Sequence, residues 1–443
     1  METNSRISIL GGGTAGLGLG YYAKKKGFPF EIFEASDRIG GNCSTFAQGD
    51  FRLDSGAHRF HDKDREITAT IKNLLGDDLF IVNVPSKIYH HGKLIDFPLS
   101  PLDLLKKLGP IAFAKAGMQV LYSRFQGKSE HKNFESFALQ TYGRIIAEKF
   151  LLNYSEKLWG VPCNRLSTHI AGTRMKGLNL KTFFAEAFLG AKAKTTHLEG
   201  ASFYYPRGGI ATISEKLGEY CGLESIFLNH KITKIKHDGK RIHTIEINGT
   251  KEIAVREVVS TLALDYFLDI MDPQPPDEII AVKKGLRYRN IILVAIFLDQ
   301  NAITNAATVY FPDDDFQFTR IYEPKNRYVN MAPPGKTSLV AEIPCQPEDD
   351  IWSRISDQKL IDSVISKLIA IDWIKQEAIM GSAVYRVENA YPILEIGFRE
   401  KVKLINDYLA NFSNLNLSGR NGKFIYSWIH DMMRFGKTII DKF

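Results

Sequence analysis

The chain opens with two short apolar runs on either side of a helical pattern. Residues Ile7–Leu10 form the first run, three glycines follow it, and a helix-like stretch continues to Lys26 before the second run at Phe30–Phe33. Short apolar runs bounded by glycine or charged residues are typical of buried strands. A strand, glycine turn, helix and strand in this order predict the βαβ unit of a dinucleotide-binding fold.

The next long stretch has a helical period. From about residue 64 to residue 193, apolar residues recur at three- and four-residue spacing and strand signals are few, as in Leu104, Leu105, Leu108 and Ile111. This spacing predicts a helical insertion.

The pattern then changes to two-residue alternation. Residues 228–261 predict a small antiparallel meander with turns at Asp238-Gly239 and Asn248-Gly249, ending at Val258-Val259. A second β-rich stretch covers 291–343 and precedes a helix at about 357–371. A short strand at 415–417, a turn at 419–422 and a final helix complete the chain.

Length and composition exclude several classes of protein. The 443 residues are 44% apolar, which is ample for a packed core and rules out a disordered or fibrous chain. The 57 basic residues exceed the 50 acidic ones by 7, but they are scattered, so nucleic acid is not an expected partner. The longest apolar run, Ile291–Leu298, is too short to span a bilayer.

Cysteine usage and the polar amino terminus predict the compartment. The four cysteines form no Cys-x-x-Cys pair, so neither a zinc site nor a disulfide framework is indicated. No apolar signal segment follows the amino terminus. We expect a cytoplasmic protein and leave peripheral contact with the inner membrane face open.

The glycine turn matches a phosphate-binding motif. Gly11, Gly13 and Gly16 satisfy G-x-G-x-x-G between a predicted strand and helix, where backbone N–H groups can approach a pyrophosphate. Glu34 ends the second strand, 18 residues after Gly16, where a carboxylate accepts hydrogen bonds from a ribose. Together these features predict a dinucleotide cofactor.

A second element favours FAD over NAD. Arg38, Gly40 and Gly41 follow Glu34 at a distance from which they can meet the same pyrophosphate, an element that an NAD enzyme does not need. The Glu-x-x-x-Arg-x-Gly-Gly run resembles the FAD proteins of the amine oxidase, protoporphyrinogen oxidase and phytoene desaturase superfamily.

Several segments along nearly the whole chain narrow the resemblance. In order, they are similar to segments of UDP-galactopyranose mutase and of related FAD proteins associated with cell-surface polysaccharide biosynthesis. These segments are Arg38-Ile-Gly-Gly-Asn42, Ser55-Gly-Ala-His58-Arg-Phe-His61, Tyr154-Ser-Glu-Lys-Leu-Trp159-Gly160, Pro206-Arg-Gly-Gly209, Phe318-Thr-Arg320-Ile-Tyr-Glu323, Tyr391-Pro392 and Gly419-Arg420 with Tyr426.

The resemblance implies roles for particular residues. It places two arginine forks and several tyrosine hydroxyls on the diphosphate of a nucleotide sugar, with a tryptophan beside the sugar or base; this substrate set is Tyr154, Trp159, Arg174, Arg320, Tyr391 and Tyr426. The cofactor set is Gly11, Gly13, Gly16, Glu34, Arg38, Gly40, Gly41, His58, Ile232, Gly419 and Arg420. No metal ligand and no catalytic side chain are assigned, because the flavin N5 would carry the chemistry.

The chain departs from the mutase pattern at two places. Ser202 stands where the mutase has another substrate tyrosine, although Tyr204 is close, and Tyr426-Ser-Trp428 replaces its Tyr-x-Asp, with His430 following. Uridine and galactose specificity therefore do not follow from the resemblance.

Two kinds of enzyme stay open. The first is a mutase-like flavoenzyme that acts on a nucleotide-linked sugar without net oxidation. The alternative is an FAD-dependent oxidase or desaturase that takes hydride from an amine, porphyrinogen, isoprenoid or sugar; the apolar, lysine-bearing segment Leu102–Phe125 would then contact lipid, whereas a helix packed in the insertion is the favoured interpretation. A flavin-fold protein without activity is disfavoured by the retained glycines, Glu34 and Arg420.

These patterns together predict an α/β protein. It should have a Rossmann-type FAD-binding domain, a helical insertion and a second, mostly antiparallel β-sheet domain. The FAD-binding domain is expected to be discontinuous and to comprise residues 1–65, 205–265 and 380–443. The helical insertion is expected at 66–204 and the substrate domain at 266–379.

Overall fold

The structure is a computed structural model, and it describes residues 6–97, 99, 101–125, 131–171 and 202–443. Its strands, in chain order, are β1 (Ile7–Leu10), β2 (Phe30–Phe33), β3 (Thr45–Gln48), β4 (Phe51–Asp54), β5 (Leu79–Asn83), β6 (Ser86–His90), β7 (Lys93–Phe97), β8 (Ser202–Pro206), β9 (Ile226–Phe227), β10 (Ile232–His237), β11 (Ile242–Ile247), β12 (Lys251–Ala254), β13 (Glu257–Ser260), β14 (Met271–Asp272), β15 (Tyr288–Leu298), β16 (Thr308–Tyr310), β17 (Arg320–Tyr322), β18 (Thr337–Cys345), β19 (Ile379–Pro392) and β20 (Leu415–Leu417).

The α-helices of the described residues are α1 (Thr14–Lys26), α2 (Arg65–Leu75), α3 (Pro101–Leu108), α4 (Pro110–Phe125), α5 (Phe134–Ile146), α6 (Asn153–Trp159), α7 (Ala211–Cys221), α8 (Leu264–Asp269), α9 (Asp277–Lys283), α10 (Asp350–Ser353), α11 (Asp357–Ala370), α12 (Phe398–Leu409) and α13 (Ile429–Ile440). A π-helical turn at Ala147–Leu152 joins α5 to α6.

A five-stranded parallel sheet carries the predicted dinucleotide-binding unit. Its strand order is β20-β13-β1-β2-β9, and every pairing in it is parallel. Apolar residues from α1, α7 and α13 cover one face, and the meander β10–β12 covers the other. The predicted α/β fold class is therefore confirmed.

Strand β13 corrects one detail of the prediction. Val258-Val259 was expected at the end of the antiparallel meander, but β13 lies parallel between β1 and β20. Val258 packs on the meander side and Val259 on the helix side, so both faces of this strand are buried. A strand buried on both faces is an uninterrupted apolar run, and such a run does not reveal which sheet it joins.

A second, seven-stranded sheet has the order β19-β15-β18-β17-β16-β6-β7. Strands β6 and β7 fall inside the stretch predicted to be helical, and so does β5, which pairs with β8. The prediction of a helical insertion over 66–204 is therefore wrong at residues 79–97. These strands carry polar residues such as Lys87, Lys93 and Asp96 at irregular positions, which hides their period.

Helices α3 and α4 form part of the outer surface of the insertion. They are separated at Gly109, whose φ is +85°, and Pro110 begins the second helix. Ala116 and Phe113 pack against β6, β7 and α5, while Ile111 and Met118 are 73% and 61% exposed. Among the helices of the described residues, none is both long enough and apolar enough to cross a membrane.

The first and last parts of the chain meet at two glycines. Gly18 of α1 lies against α13, and a Cβ at Gly436 would come within 3.1 Å of the Gly18 carbonyl carbon. The five-stranded sheet also draws on all three segments of the expected discontinuous domain, through β1, β13 and β20. The domain boundaries themselves stay a prediction.

Candidate functional site

The glycine turn after β1 is shaped by close backbone contacts. Gly11 has a φ of +105°, and its N–H donates to the Phe33 carbonyl at 2.8 Å. A Cβ at Gly16 would lie 1.9 Å from the Gly11 carbonyl oxygen, so no other residue fits there. Gly13 differs, because its φ is −69° and a Cβ would meet no protein atom closer than 3.8 Å. The packing of the protein therefore does not require glycine at position 13, whereas the close approach of a pyrophosphate would.

The second glycine pair completes this cradle. Gly40 donates to the Gly12 carbonyl at 2.9 Å, and Gly13 and Gly40 form a parallel bridge. Glu34 accepts a hydrogen bond from the Gly12 N–H at 2.7 Å, which places a carboxylate at the edge of the turn. Arg38 is about half exposed and lies 3.5 Å from Ser44 Oγ. These groups offer backbone donors, a ribose acceptor and a cation to a dinucleotide.

The turn near the carboxyl terminus reaches the same place. A Cβ at Gly419 would lie 3.1 Å from Cβ of Ala15, in the first turn of α1. Ile232 lies in β10 with its side chain in the core, two residues after His230, whose N–H donates to the Glu34 carbonyl at 2.8 Å. Gly11, Glu34 and Gly419 therefore lie at the carboxyl edge of the parallel sheet, where this kind of fold binds nucleotides, whereas Ile232 is buried in the adjoining meander.

The loop after β4 connects the cradle to the second sheet. His58 lies in this loop, its Nε2 3.2 Å from Ser55 Oγ, and burial lowers its pKa to about 3, with Arg420 and Arg320 acting in the same direction. The imidazole is therefore neutral near pH 7. Tyr322 donates its hydroxyl hydrogen bond to the Asp54 carbonyl, which ties the start of the loop to β17.

Aromatic and cationic side chains lie close together next to the loop that carries His58. Rings of Trp159, Tyr391 and Tyr426 lie about 6 Å from one another, with centroid separations of 6.0, 6.1 and 6.0 Å. Arg320 Nη2 donates to the Tyr391 hydroxyl at 2.9 Å. The ring of Tyr154 packs edge-on against Tyr310 at 5.5 Å. The structure thus brings together the predicted substrate residues that it describes.

Arg320 is not a free cation. It is 8% exposed, and its Nε donates to the Glu342 carboxylate at 2.5 Å. The second Glu342 oxygen accepts the Ala57 N–H at 2.7 Å. Glu342 therefore links Arg320 to the loop that carries His58. Burial opposes the charge of Arg320, but the facing carboxylate keeps its pKa well above the ordinary value.

Arg420 binds backbone rather than a free acceptor. Its guanidinium donates to the Ser427 carbonyl twice and to the Ala390 carbonyl at 2.9 Å. Its charge lies 5.7 Å from the ring centre of Tyr391 and 5.5 Å from that of Tyr426, so it fixes these two tyrosines relative to each other. Arg174, the second predicted arginine fork, lies outside the described residues.

Sequence reasoning assigned no role to three residues of the site. Glu342 belongs to no motif. It stands two residues after Val340 in the buried strand β18, so the two residues share one face of that strand. Tyr310 was noticed only as part of a strand. Trp428 was noted as a departure; its ring packs edge-on against His61 at 5.7 Å, and Lys63 Nζ lies 4.4 Å from the centre of its ring.

The parallel sheet and the glycine turns at its carboxyl edge are the architecture of a dinucleotide-binding protein. The family model for flavin containing amine oxidoreductases matches residues 14–371, and the chain belongs to this family. The family is flavin-containing, so the predicted FAD cofactor and the predicted enzyme class are confirmed. Enzymes of this family act on small-molecule substrates.

Individual relatives are distant. Reduced UDP-galactopyranose mutase has a structure similar to this one with a TM-score of 0.86, 21% identity and coverage of 99% of this chain and 95% of the other. Cyclohexylamine oxidase from Brevibacterium oxydans IH-35A gives a TM-score of 0.68 at 14% identity, covering 99% and 98%. Coproporphyrinogen III oxidase from Bacillus subtilis (strain 168) is 21% identical over 453 residues, 93% of this chain and 92% of its own. Identity at this level supports the shared fold.

Proposed function

We propose that this chain acts on a nucleotide-linked sugar of polysaccharide biosynthesis by mutase-like chemistry. The observation that carries the proposal is the convergence of Trp159, Tyr391 and Tyr426 around Arg320, beside the loop of His58. A polyene or a similar apolar substrate would gain little from a buried guanidinium and several hydroxyls, whereas a sugar diphosphate uses both.

The side chains of the site would bind and orient the substrate. Arg320 keeps the N–H groups that Glu342 and Tyr391 do not occupy for a phosphate oxygen. Burial raises the pKa of Tyr154 and of Tyr391 above the ordinary value, so both hydroxyls stay protonated and act as neutral donors. Trp159 offers a flat apolar face to the sugar or base.

Bound flavin would supply the nucleophilic N5 in its reduced state, so the reaction needs no side-chain nucleophile and no net oxidant. The chain's own contribution is then electrostatic and geometric. Its buried, preorganised donors hold the departing nucleoside diphosphate, while the surrounding rings keep water from the sugar.

The test supplies UDP- and dTDP-hexoses to the flavin-loaded enzyme, with and without dithionite, and follows exchange between ring forms. Arg320→Ala should weaken nucleotide binding by roughly ten- to a hundredfold, since a charge-assisted hydrogen bond contributes about 1.5–3 kcal/mol. Lys should rescue it poorly, because a point charge does not replace a planar fork. Arg386→Ala is the matched control. Arg386 lies in another part of β19 and pairs with Asp357 of α11.

A second candidate is an FAD-dependent oxidase or desaturase. The coproporphyrinogen III oxidase matches nearly the whole chain, and that observation favours it. Peroxide or desaturated product formed from porphyrinogens, amines or polyenes, with the Arg320 variants unaffected, would overturn the mutase proposal in favour of this one. A cytoplasmic location and a role in polysaccharide biosynthesis belong to the first proposal.

A further inference from the structure

We infer that His90, His91 and Asp313 form a binding site for a divalent transition-metal ion such as Zn²⁺, apart from the flavin and substrate residues. One ligand atom from each residue, an imidazole nitrogen or a carboxylate oxygen, lies within 4.8 Å of the other two. Two imidazoles and a carboxylate are a donor set that suits this kind of ion, with water as a further ligand.

The β6–β7 hairpin brings the two histidines together. His90 is the last residue of β6. His91 and Gly92 form the turn, and their φ angles are +46° and +78°, respectively. Consecutive residues of a strand point to opposite faces, but the left-handed turn places the two imidazole rings 4.2 Å apart. The turn therefore creates a pair of ligands from adjacent positions.

Asp313 comes from the loop that follows β16 and faces this turn. Its Oδ1 lies 2.7 Å from His90 Nδ1, and its Oδ2 accepts the His91 backbone N–H at 3.3 Å. Zinc–nitrogen and zinc–oxygen bonds are both about 2 Å long, so a small opening of the His90–Asp313 contact and a rotation of exposed His91 would admit the ion. His90 itself is buried, which limits its freedom to turn away.

Neighbouring groups hold the loop and supply negative charge. Lys157 Nζ donates to the carbonyls of Phe311 and Asp313 at 2.9 and 2.8 Å, which fixes the backbone that carries the carboxylate. Asp314 and Asp315 follow on the exposed side of the loop and offset the lysine charge. Lys157 belongs to α6, so a bound ion would brace the helix that also carries Tyr154 and Trp159.

The sequence predicted no metal site, and the reason is distance along the chain. Asp313 stands 222 residues from His91, and no spacing motif joins them. The four cysteines are buried, and none of them belongs to this group of potential ligands.

The experiment uses the flavin-loaded full chain, stripped of metal with a chelator and then dialysed. Zn²⁺ binding is measured by calorimetry, and Co²⁺ is used as a probe because its visible absorption reports nitrogen and oxygen ligands in a tetrahedral site. His91→Asn removes the imidazole while keeping a residue that tolerates positive φ. Asp313→Asn keeps a hydrogen-bond acceptor for His90 and removes the charge. His243→Asn is the control, since His243 pairs with Asp238 at 2.9 Å on the exposed surface.

We expect wild type and His243→Asn to bind a single equivalent of Zn²⁺ and to unfold at a higher temperature with the metal. His91→Asn and Asp313→Asn should each weaken binding by about tenfold or more and remove the thermal shift. Wild type without saturable binding, or variants that bind as wild type does, would overturn the inference. Neither result depends on the proposed mutase activity.

Discussion

Gly13 and Gly16 stand three residues apart and meet different physical needs. Gly16 is required by the fold, because a Cβ there would strike the Gly11 carbonyl oxygen at 1.9 Å. A Cβ at Gly13 would come no closer than 3.8 Å to Gly41, an ordinary van der Waals contact, so the fold itself tolerates a side chain there, which would fill the place of the pyrophosphate.

We therefore expect Gly13→Val to purify folded but without the yellow colour of bound flavin. The measurement is the flavin-to-protein absorbance ratio, with FAD release on denaturation as the assay for wild type. Gly381→Val is the control, because Gly381 is also spacious, with its nearest neighbour 3.8 Å away, and lies in β19. A yellow Gly13→Val protein would contradict the role given to this turn.

Glu342 makes a second prediction at the residue scale. Glu342→Gln leaves the Arg320 charge buried without its carboxylate, so the free energy of unfolding should fall by about 3 kcal/mol. The same change adds positive charge beside the phosphate site, so binding of a nucleoside diphosphate should become tighter. Denaturant unfolding and nucleotide titration measure the two effects separately.

Asp357→Asn provides the comparison, since it breaks the more exposed pair with Arg386 and should cost less than about 1 kcal/mol. Equal losses of stability in the two variants would argue against a buried, stabilising Arg320–Glu342 pair, and weaker nucleotide binding in Glu342→Gln would argue against the electrostatic effect expected at the phosphate site.

His58 gives a prediction about pH. Its folded pKa, near 3, lies below the unfolded value of about 6.5, so the unfolded chain binds an extra proton between these two values. Stability from this residue is therefore present above pH 6.5 and is lost as the pH falls toward 3. When the pH falls from 7 to 5, the free energy of unfolding of the wild type should therefore decrease by about 1 to 2 kcal/mol more than that of His58→Asn. Parallel stability curves for the two proteins, from urea unfolding of the flavin-loaded forms, would refute the assignment.

The sequence was most informative about residues whose role depends on a local motif. Gly11, Gly16 and Glu34 could be predicted because their spacing reflects one turn and one strand. Glu342 could not, because its function arises from contacts with Arg320 and Ala57, and both partners are remote along the chain. Long-range ion pairs leave no spacing in a single sequence.

At the scale of elements, helix α4 exposes two large apolar side chains, Ile111 and Met118, to solvent. Residues 104–125 contain no Asp or Glu, and their basic residues are Lys106, Lys107, Lys115 and Arg124. Ile111 and Met118 are exposed, and so are Lys106 of α3 and Lys115 of α4, so this surface would suit an anionic bilayer, to which each basic residue adds about 1 kcal/mol of attraction.

We expect the protein to sediment with anionic lipid vesicles and much less with neutral ones. Ile111→Glu combined with Met118→Glu should reduce the bound fraction, while Leu223→Glu, at a residue 67% exposed on another surface, should not. A double variant that binds vesicles as wild type does would exclude this surface as the contact.

Predicting elements from periodicity succeeded where an element is mostly apolar or has one buried face, and it failed where strands carry several polar residues. Strands β1 and β2 and helix α11 lie where the apolar pattern placed them, with α11 ending one residue earlier. Strands β5, β6 and β7 mix buried apolar residues with polar ones such as Lys87, Lys93 and Asp96, and tertiary pairing decides their state. The β6–β7 hairpin joins the seven-stranded sheet through β16, a pairing that no local pattern encodes.

At the scale of the whole molecule, the amino- and carboxyl-terminal parts depend on each other. Helix α13 packs on α1 at the glycines of both helices, and Asp64, the N-cap of α2, forms a bidentate pair with Arg434 of α13 at 2.7 and 2.8 Å. The segment that leads into α13 carries Gly419 and Tyr426. A displacement of this helix would therefore move parts of both the glycine turns and the cluster of Trp159, Tyr391 and Tyr426.

Gly436→Leu tests this dependence without touching a proposed ligand contact. A Cβ at this position would already lie 3.1 Å from the Gly18 backbone, so the larger side chain should push α13 away from α1 and cost about 1 to 3 kcal/mol. We expect FAD affinity and nucleotide affinity to fall together, with Gly436→Ala showing a smaller loss of both. Thr438→Leu, on the exposed side of the same helix, should leave both affinities unchanged. Fluorescence titration of the apoprotein with FAD and calorimetry with UDP measure the two affinities, and a fall in only one of them would show that α13 does not position both sites.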